Sequence, residues 1–186
     1  MDIGLNINIL QWNIQGFFNH KFALEFIIAK HKPNIIALQE THIVERNINL
    51  LHLPGFNIYH HNKNYEYAKS GIALLVSKTM NVTQHIKSSG NLLFQTITIK
   101  GAKNLNITNI YKECDVTLTE SMVRSIDTLI EGHHLVIGDL NSHNPLWGSR
   151  SITPCGTIWE QFSDDRNLVV LNNGSPTLFN TRHTLT

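Results

Sequence analysis

Charge is scarce in this chain. Asp, Glu, Lys and Arg make up 16% of its 186 residues, and their formal sum is +1. That is well short of the ~25% usual for a soluble domain. Overall charge therefore does not announce a nucleic-acid partner, and any such partner must be held by a local face. Cysteine is scarcer still. Cys114 and Cys155 are the only two, and with no CxxC spacing they suggest neither a zinc site nor a disulfide framework. Reduced thiols in an intracellular protein are the simplest reading. No apolar run approaches the ~18 residues of a membrane span. The opening Met1-Asp2-Ile3-Gly4 lacks the basic region and small-residue cleavage site of a secretory leader. Repeats, low-complexity tracts and linkers are also missing, so one domain over residues 1–186 is expected.

What is present is a succession of short apolar runs. LNINILQWNI (5–14) alternates apolar and polar residues, a strand rhythm. FALEFIIAK (22–30) repeats apolar residues at helical spacing, and His31-Lys32-Pro33 ends it. Residues 34–39, 55–60, 71–77, 92–100, 105–111, 134–140 and 168–171 read as strands, and 177–180 as the start of another. Residues 92–100 and 105–111 are joined through Gly101. Further helices are expected over 119–130, capped by Thr117 or Thr119, and around 158–162. Strands outnumber helices and often follow each other directly. This mixture predicts an α/β fold of two sheets packed face to face, with helices outside.

Several of these strands end on chemistry. QWNIQG (11–16) places Asn13 and Gln15 just past Trp12, and ALQETH (37–42) places Gln39 and Glu40 just past Leu38. NIYKEC (109–114) places Tyr111 after Ile110. VIGDLNSHNPLWGS (136–149) delivers Asp139, Asn141 and His143. Strand ends on a rigid sheet hold side chains in fixed positions. Two carboxylates with several carboxamides suit Mg²⁺, which prefers oxygen ligands and needs only one or two carboxylates. Such an ion can polarise a phosphoryl oxygen and stabilise a leaving oxygen. A second carboxylate can align or deprotonate a water, while amide and phenol donors hold phosphate oxygens. That division of labour describes phosphodiester hydrolysis. Taken singly, each residue has a plainer explanation: Asn13 and Asp139 as turn formers, Glu40 as a solvated charge or helix cap, Tyr111 as a core residue. The combination and its order carry the case.

In that order, QWNIQG, LQET, SGIALLV, NIY and GDLNSHNPLWGS resemble the motifs of the endonuclease/exonuclease/phosphatase superfamily. GDLNSHNPLWGS followed by LNNGSPTLFNTR (171–182) is most similar to the apurinic-type endonuclease domain of non-LTR retrotransposons of the arthropod jockey-like and R1-like kind. The resemblance runs from Leu5 to Thr186. It implies a four-layer α/β/β/α sandwich with the site at one end of the two sheets. It also implies a DNA-nicking enzyme that uses Mg²⁺, or Mn²⁺, and is fused to a reverse transcriptase. Such an enzyme would be nuclear when it acts on chromosomal DNA. Glu40 would be the principal metal carboxylate, with Asn13 in the metal and phosphate network. Tyr111 would lie against the scissile phosphate, Asp139 would orient or deprotonate the attacking water, and Asn141 would hold the phosphate.

The sequence departs from that family in places. Gln15 stands where many members have an acid, and Cys114 where many have Asn or Pro. His143 either serves the site, packs beside Trp147 or caps the loop. The family's Asp-containing strand and Ser-Asp-His motif do not occur within residues 1–186, and His183 lacks the preceding Asp. The expectation is therefore a domain incomplete at its C-terminus, without its last strands, and weak or inactive in nicking. Two other functions stay open: a phosphatase of the same superfamily, and a non-catalytic nucleic-acid-binding remnant. Lys63, Lys69, Lys112 and Arg150 are the candidate basic contacts to DNA.

Overall fold

The computed structural model describes residues 6–66, 68–88, 90–127, 132–175 and 177. Two four-stranded sheets face each other. The first has the order β1 (Ile9–Asn13), β2 (Ile35–Gln39), β4 (Ile72–Ser77), β3 (Phe56–His61). The second runs β5 (Val82–Lys87), β6 (Leu93–Ile99), β7 (Leu105–Tyr111), β8 (His133–Asp139). The pairs β1–β2 and β7–β8 are parallel, and all other pairs are antiparallel. Helix α1 (Phe17–His31) covers the outer face of the first sheet through Phe17 and Leu24. Helices α3 (Glu120–Asp127) and α4 (Pro154–Asp165) cover the second through Val123, Ile126, Trp159 and Phe162. A short helix, α2 (Glu45–Ile48), lies between β2 and β3.

The alternation of each strand explains the layering. In β2, Ile36 and Leu38 join the cluster beneath α1, while Ile35 and Ala37 join the one between the sheets with Leu74, Ile97 and Ile107. Both faces of β2 are thus covered, and all five of its residues are buried. A strand buried on both faces reads as a continuous apolar run, as this one does.

The expected elements are largely where the sequence puts them. Helix α1 ends at His31 with Lys32 left-handed at φ 49°, its N–H donating to Ile28 O, just before Pro33. Helix α1 begins five residues before the apolar repeat alone suggests, because Gly16 N–H and Phe17 N–H are tied to Glu40 O and Thr41 O. Helix α3 is capped by Thr119, whose Oγ1 accepts from Met122 N–H at 3.4 Å. Helix α4 likewise starts earlier than expected, at a Thr153 cap followed by Pro154 at the first position.

One expectation fails. Residues 168–171 are not a strand, and Val169 and Leu171 are 80% and 75% exposed. The run is apolar, but it leaves α4 through Arg166 and Asn167 without a sheet partner. Strand β5, α2 and the 3-10 turn at Pro145–Trp147 had no expectation. The strand start at 177–180 lies, except for Thr177, outside the described residues.

Candidate active site

Register brings the strand-end residues to one end of the sandwich. Asn13 pairs with Gln39 across β1–β2, so Glu40 follows immediately beside it. Tyr111 pairs with Asp139 across β7–β8. The backbone then fixes each turn. Ile14, Gly16 and Phe17 donate N–H bonds to the carbonyls of Gln39, Glu40 and Thr41. On the other side, Thr41 and His42 donate to Gly71 O and Ser70 O. Glu40 therefore sits in a turn laced from both flanks, at a φ of 52°. That left-handed value is uncommon for a residue with a β-carbon and marks a constrained position.

The amide of Asn13 joins the two sheets. Its Nδ2 donates to Glu40 Oε1 and to Asp139 Oδ2, both at 2.8 Å. The Tyr111 hydroxyl donates to the same Glu40 Oε1 at 3.0 Å. Asn141 N–H caps Asp139 Oδ1 at 3.0 Å, and Asn141 Nδ2 donates to Lys112 O at 2.8 Å. Two acceptor-only neighbours settle the Asn13 amide orientation, because reversing it would aim an oxygen at both carboxylates. Its Oδ1 is consequently buried without a hydrogen-bond partner. The five sequence-proposed residues, Asn13, Glu40, Tyr111, Asp139 and Asn141, thus form one connected network.

This network is rich in negative charge and poor in compensation. Among the described residues, His42 alone comes within ion-pairing range of Glu40, at 3.7 Å, and no basic side chain does so for Asp139. An orphaned amide oxygen beside two carboxylates fits a hard divalent cation better than it fits a structural role. Among the described residues no three His, Cys, Asp or Glu side chains converge on a common ion position. A cation here would leave much of its coordination to water and substrate, the habit of Mg²⁺. Burial first, then Glu40, pushes the Tyr111 phenol far above its ordinary value, so it remains a hydrogen-bond donor throughout the neutral range.

Beneath the Glu40 turn stands a neutral histidine. His60 Nε2 lies 2.9 Å from Thr41 Oγ1, and its Nδ1 faces the Tyr65 hydroxyl at 3.4 Å. Burial, then His61, lowers His60 from 6.5 to about 4. The unfolded chain thus takes up this proton before the folded chain does. The His60 contribution to stability is complete above pH 6.5 and is lost as pH falls toward 4. Urea unfolding of His60→Gln against the parent should show a pH-dependent gap of roughly 2–3 kcal/mol across that window. Parallel pH profiles for the two proteins would contradict it.

Other sequence candidates fall elsewhere. Lys112 is buried, at 2% exposure, and its ammonium donates to Glu113 O and Val116 O, pinning the loop after Tyr111. Lys63 pairs with Glu113 at 3.5 Å, while Lys69 and Arg150 are exposed. Gln15 and Cys114 are exposed in the turns beside the network. His143 serves its loop: its N–H donates to Thr153 Oγ1, and its ring meets Ser149 Oγ at 3.3 Å.

Two features escaped the sequence reading. One is His42, one residue beyond LQET. The other is a chain of amides running inward from exposed Gln11 to buried Gln39 and Asn109, Gln11 Nε2 to Gln39 Oε1 and Gln39 Nε2 to Asn109 Oδ1, with Asn109 Nδ2 donating to Leu38 O and Ala73 O. An asparagine in the middle of an apolar strand was the signal, since a buried amide must find partners.

Two packed sheets with helices on both outer faces make the endonuclease/exonuclease/phosphatase fold. Residues 105–185 match the family model described as endonuclease-reverse transcriptase. The structure resembles the endonuclease domain of TRAS1, a telomere-specific non-LTR retrotransposon, with a TM-score of 0.76 at 19% identity. That match covers 96% of this chain and 81% of the other. The catalytic domain of Xenopus laevis APE2 gives a TM-score of 0.62 at 18% identity, covering 83% and 67%. A 3′ phosphatase, NExo from Neisseria, solved with a product DNA hairpin, gives 0.61 at 14%, covering 86% and 71%. At these identities the structural likeness establishes the fold.

Proposed function

We infer that the chain is a divalent-metal-dependent endonuclease domain that nicks DNA, drawn from a non-LTR retrotransposon and linked there to a reverse transcriptase. The observation that carries this reading is the Asn13 amide shared between Glu40 and Asp139 at 2.8 Å each. It places two carboxylates from different sheets around one small polar space. The family model over residues 105–185 and the TRAS1 likeness support the lineage. Its place of action is the nucleus when chromosomal DNA is the substrate.

Glu40 and the free Asn13 Oδ1 would hold the cation, Mg²⁺ or Mn²⁺. A bound cation supplies neutralisation of phosphate charge and of the departing oxygen. Asp139 keeps both oxygens fixed by Asn13 and Asn141, so its remaining lone pairs can orient a water and accept its proton. Tyr111, held as a neutral phenol, donates toward a phosphate oxygen. Asn141 has a second amide N–H available for the same purpose. Residues 1–186 contain no Ser-Asp-His sequence, and the 186-residue polypeptide is proposed to nick weakly by itself.

Substrate class is tested by comparing relaxation of supercoiled plasmid with phosphate release from a small phosphomonoester. DNA nicking should predominate, and preferential phosphate release would favour a phosphatase. The metal assignment has its own check. Glu40→Gln should weaken Mg²⁺ binding by calorimetry at least about tenfold, because it removes the charged ligand. Equal affinity in mutant and parent would remove Glu40 from that role.

A further inference from the structure

We propose that His42 is a direct nitrogen ligand of the same cation, giving an otherwise oxygen-lined centre a preference for Mn²⁺ over Mg²⁺. This rests on the metal site assigned above and names a ligand that the motif reading did not include.

Three observations converge on it. First, the two oxygens of Glu40 have different surroundings. Oε1 accepts from both Asn13 Nδ2 and the Tyr111 hydroxyl, while Oε2 faces His42 Nε2. The oxygen not held by those two donors is therefore the one beside the imidazole. Second, the separation is 3.7 Å, which is long for a hydrogen bond. It lies within the ~4.2 Å that two metal–ligand bonds of about 2.1 Å can span. Third, the backbone that carries the ring is held from outside the pair. His42 N–H donates to Ser70 O at 3.0 Å, and its backbone sits at φ 54°. A β-carbon placed at Gly16 would stand 3.7 Å from Nδ1, so that nitrogen lies toward the β1–α1 turn while Nε2 faces the carboxylate. The imidazole is about a third exposed, enough for an ion to reach it without rearranging the core.

Ligand chemistry then sets the preference. Mg²⁺ favours oxygen and water in a near-ideal octahedron, whereas first-row transition ions accept imidazole readily. A pair made of Glu40 Oε2 and His42 Nε2 presents a mixed oxygen and nitrogen set. Mg²⁺ can occupy it through oxygen alone, but Mn²⁺ gains the nitrogen.

Electron spin-echo envelope modulation on the 186-residue chain loaded with one equivalent of Mn²⁺ reads this directly. The parent should show ¹⁴N modulation from a coordinated imidazole. His42→Gln and His42→Ala, each checked for native circular dichroism, should lose that modulation. Mn²⁺ affinity should drop roughly tenfold, while Mg²⁺ affinity, read by competition, changes by less than about twofold. Retained nitrogen modulation in both variants would assign the ligand to another histidine and overturn the proposal. Absence of nitrogen modulation in the parent, with Mn²⁺ bound and released by Glu40→Gln, would overturn the histidine ligand and leave the metal site standing. Absence of any Mn²⁺ binding would overturn both.

Discussion

Asp139→Ala should lower Mg²⁺-dependent plasmid nicking by about three orders of magnitude, the range expected when a base that prepares the nucleophile is removed. The suitable background is residues 1–186 continued by the Asp-containing strand and Ser-Asp-His segment of a related endonuclease, the form proposed to nick faster. The side chain accepts from Asn13 Nδ2 through one oxygen and from Asn141 N–H through the other. Both donors persist in the variant and can turn to water, since the site is only partly buried. The stability loss should accordingly stay within about 1–3 kcal/mol, leaving the fold intact. Asp139→Asn separates the two roles. It keeps an acceptor for Asn141 but presents an amide to the Asn13 amide, and it has no charge with which to receive a proton. Its activity should therefore resemble that of the alanine variant. Nicking by Asp139→Asn within tenfold of the parent would mean that the carboxylate does not prepare the water.

The second large effect falls on the fold. Gly138→Ala should destabilise the protein by about 3–5 kcal/mol, combining backbone strain with an overlap that side-chain motion cannot relieve. Gly138 pairs with Ile110 across β7–β8, at a φ of 148°. A β-carbon there would overlap the carbonyl oxygen of Ile110 and come within 2.8 Å of its nitrogen. Both neighbours are backbone, so the strands themselves must separate. Separation of this pair would also pull Asp139 away from Tyr111, its partner one step along the register. Gly90→Ala is the control, because nothing lies within 4 Å of a β-carbon at that position. Urea midpoints should place Gly138→Ala far below the parent and Gly90→Ala beside it. Indistinguishable midpoints for the two variants would show that β7 and β8 do not approach each other this closely.

These two residues also show why the sequence was so readable here. Gly138 and Asp139 adjoin in GDLN, and the polar residues of the site follow apolar strands whose alternation is plain in LNINILQWNI and NIIALQ. A strand that ends on an acid announces both its own end and the site. The unreadable parts lack such contrast. Strand β5, VTQHIK, has one mostly exposed face and no strong apolar alternation, so nothing distinguishes it from a loop. Residues 168–171 mislead in the opposite direction. Leu168, Val169, Val170 and Leu171 are apolar, yet two of them point into solvent, because hydrophobicity alone does not supply a neighbouring strand. His42 was hidden for a third reason. Its place beside Glu40 arises from the left-handed backbone at both residues, which spacing within LQETH does not encode.

Incubation of supercoiled plasmid with the extended protein, in Mg²⁺ and in EDTA, tests the shared carboxylate centre most directly when the nicked ends are then analysed. Water attack at phosphorus with departure of the 3′ oxygen leaves a 3′-hydroxyl and a 5′-phosphate. Relaxed circles should form in Mg²⁺ and not in EDTA, and a polymerase should extend their 3′ ends without prior treatment. Equal nicking in EDTA, or 3′ ends that a polymerase extends only after phosphatase treatment, would contradict a metal-assisted hydrolysis built on Asn13, Glu40 and Asp139.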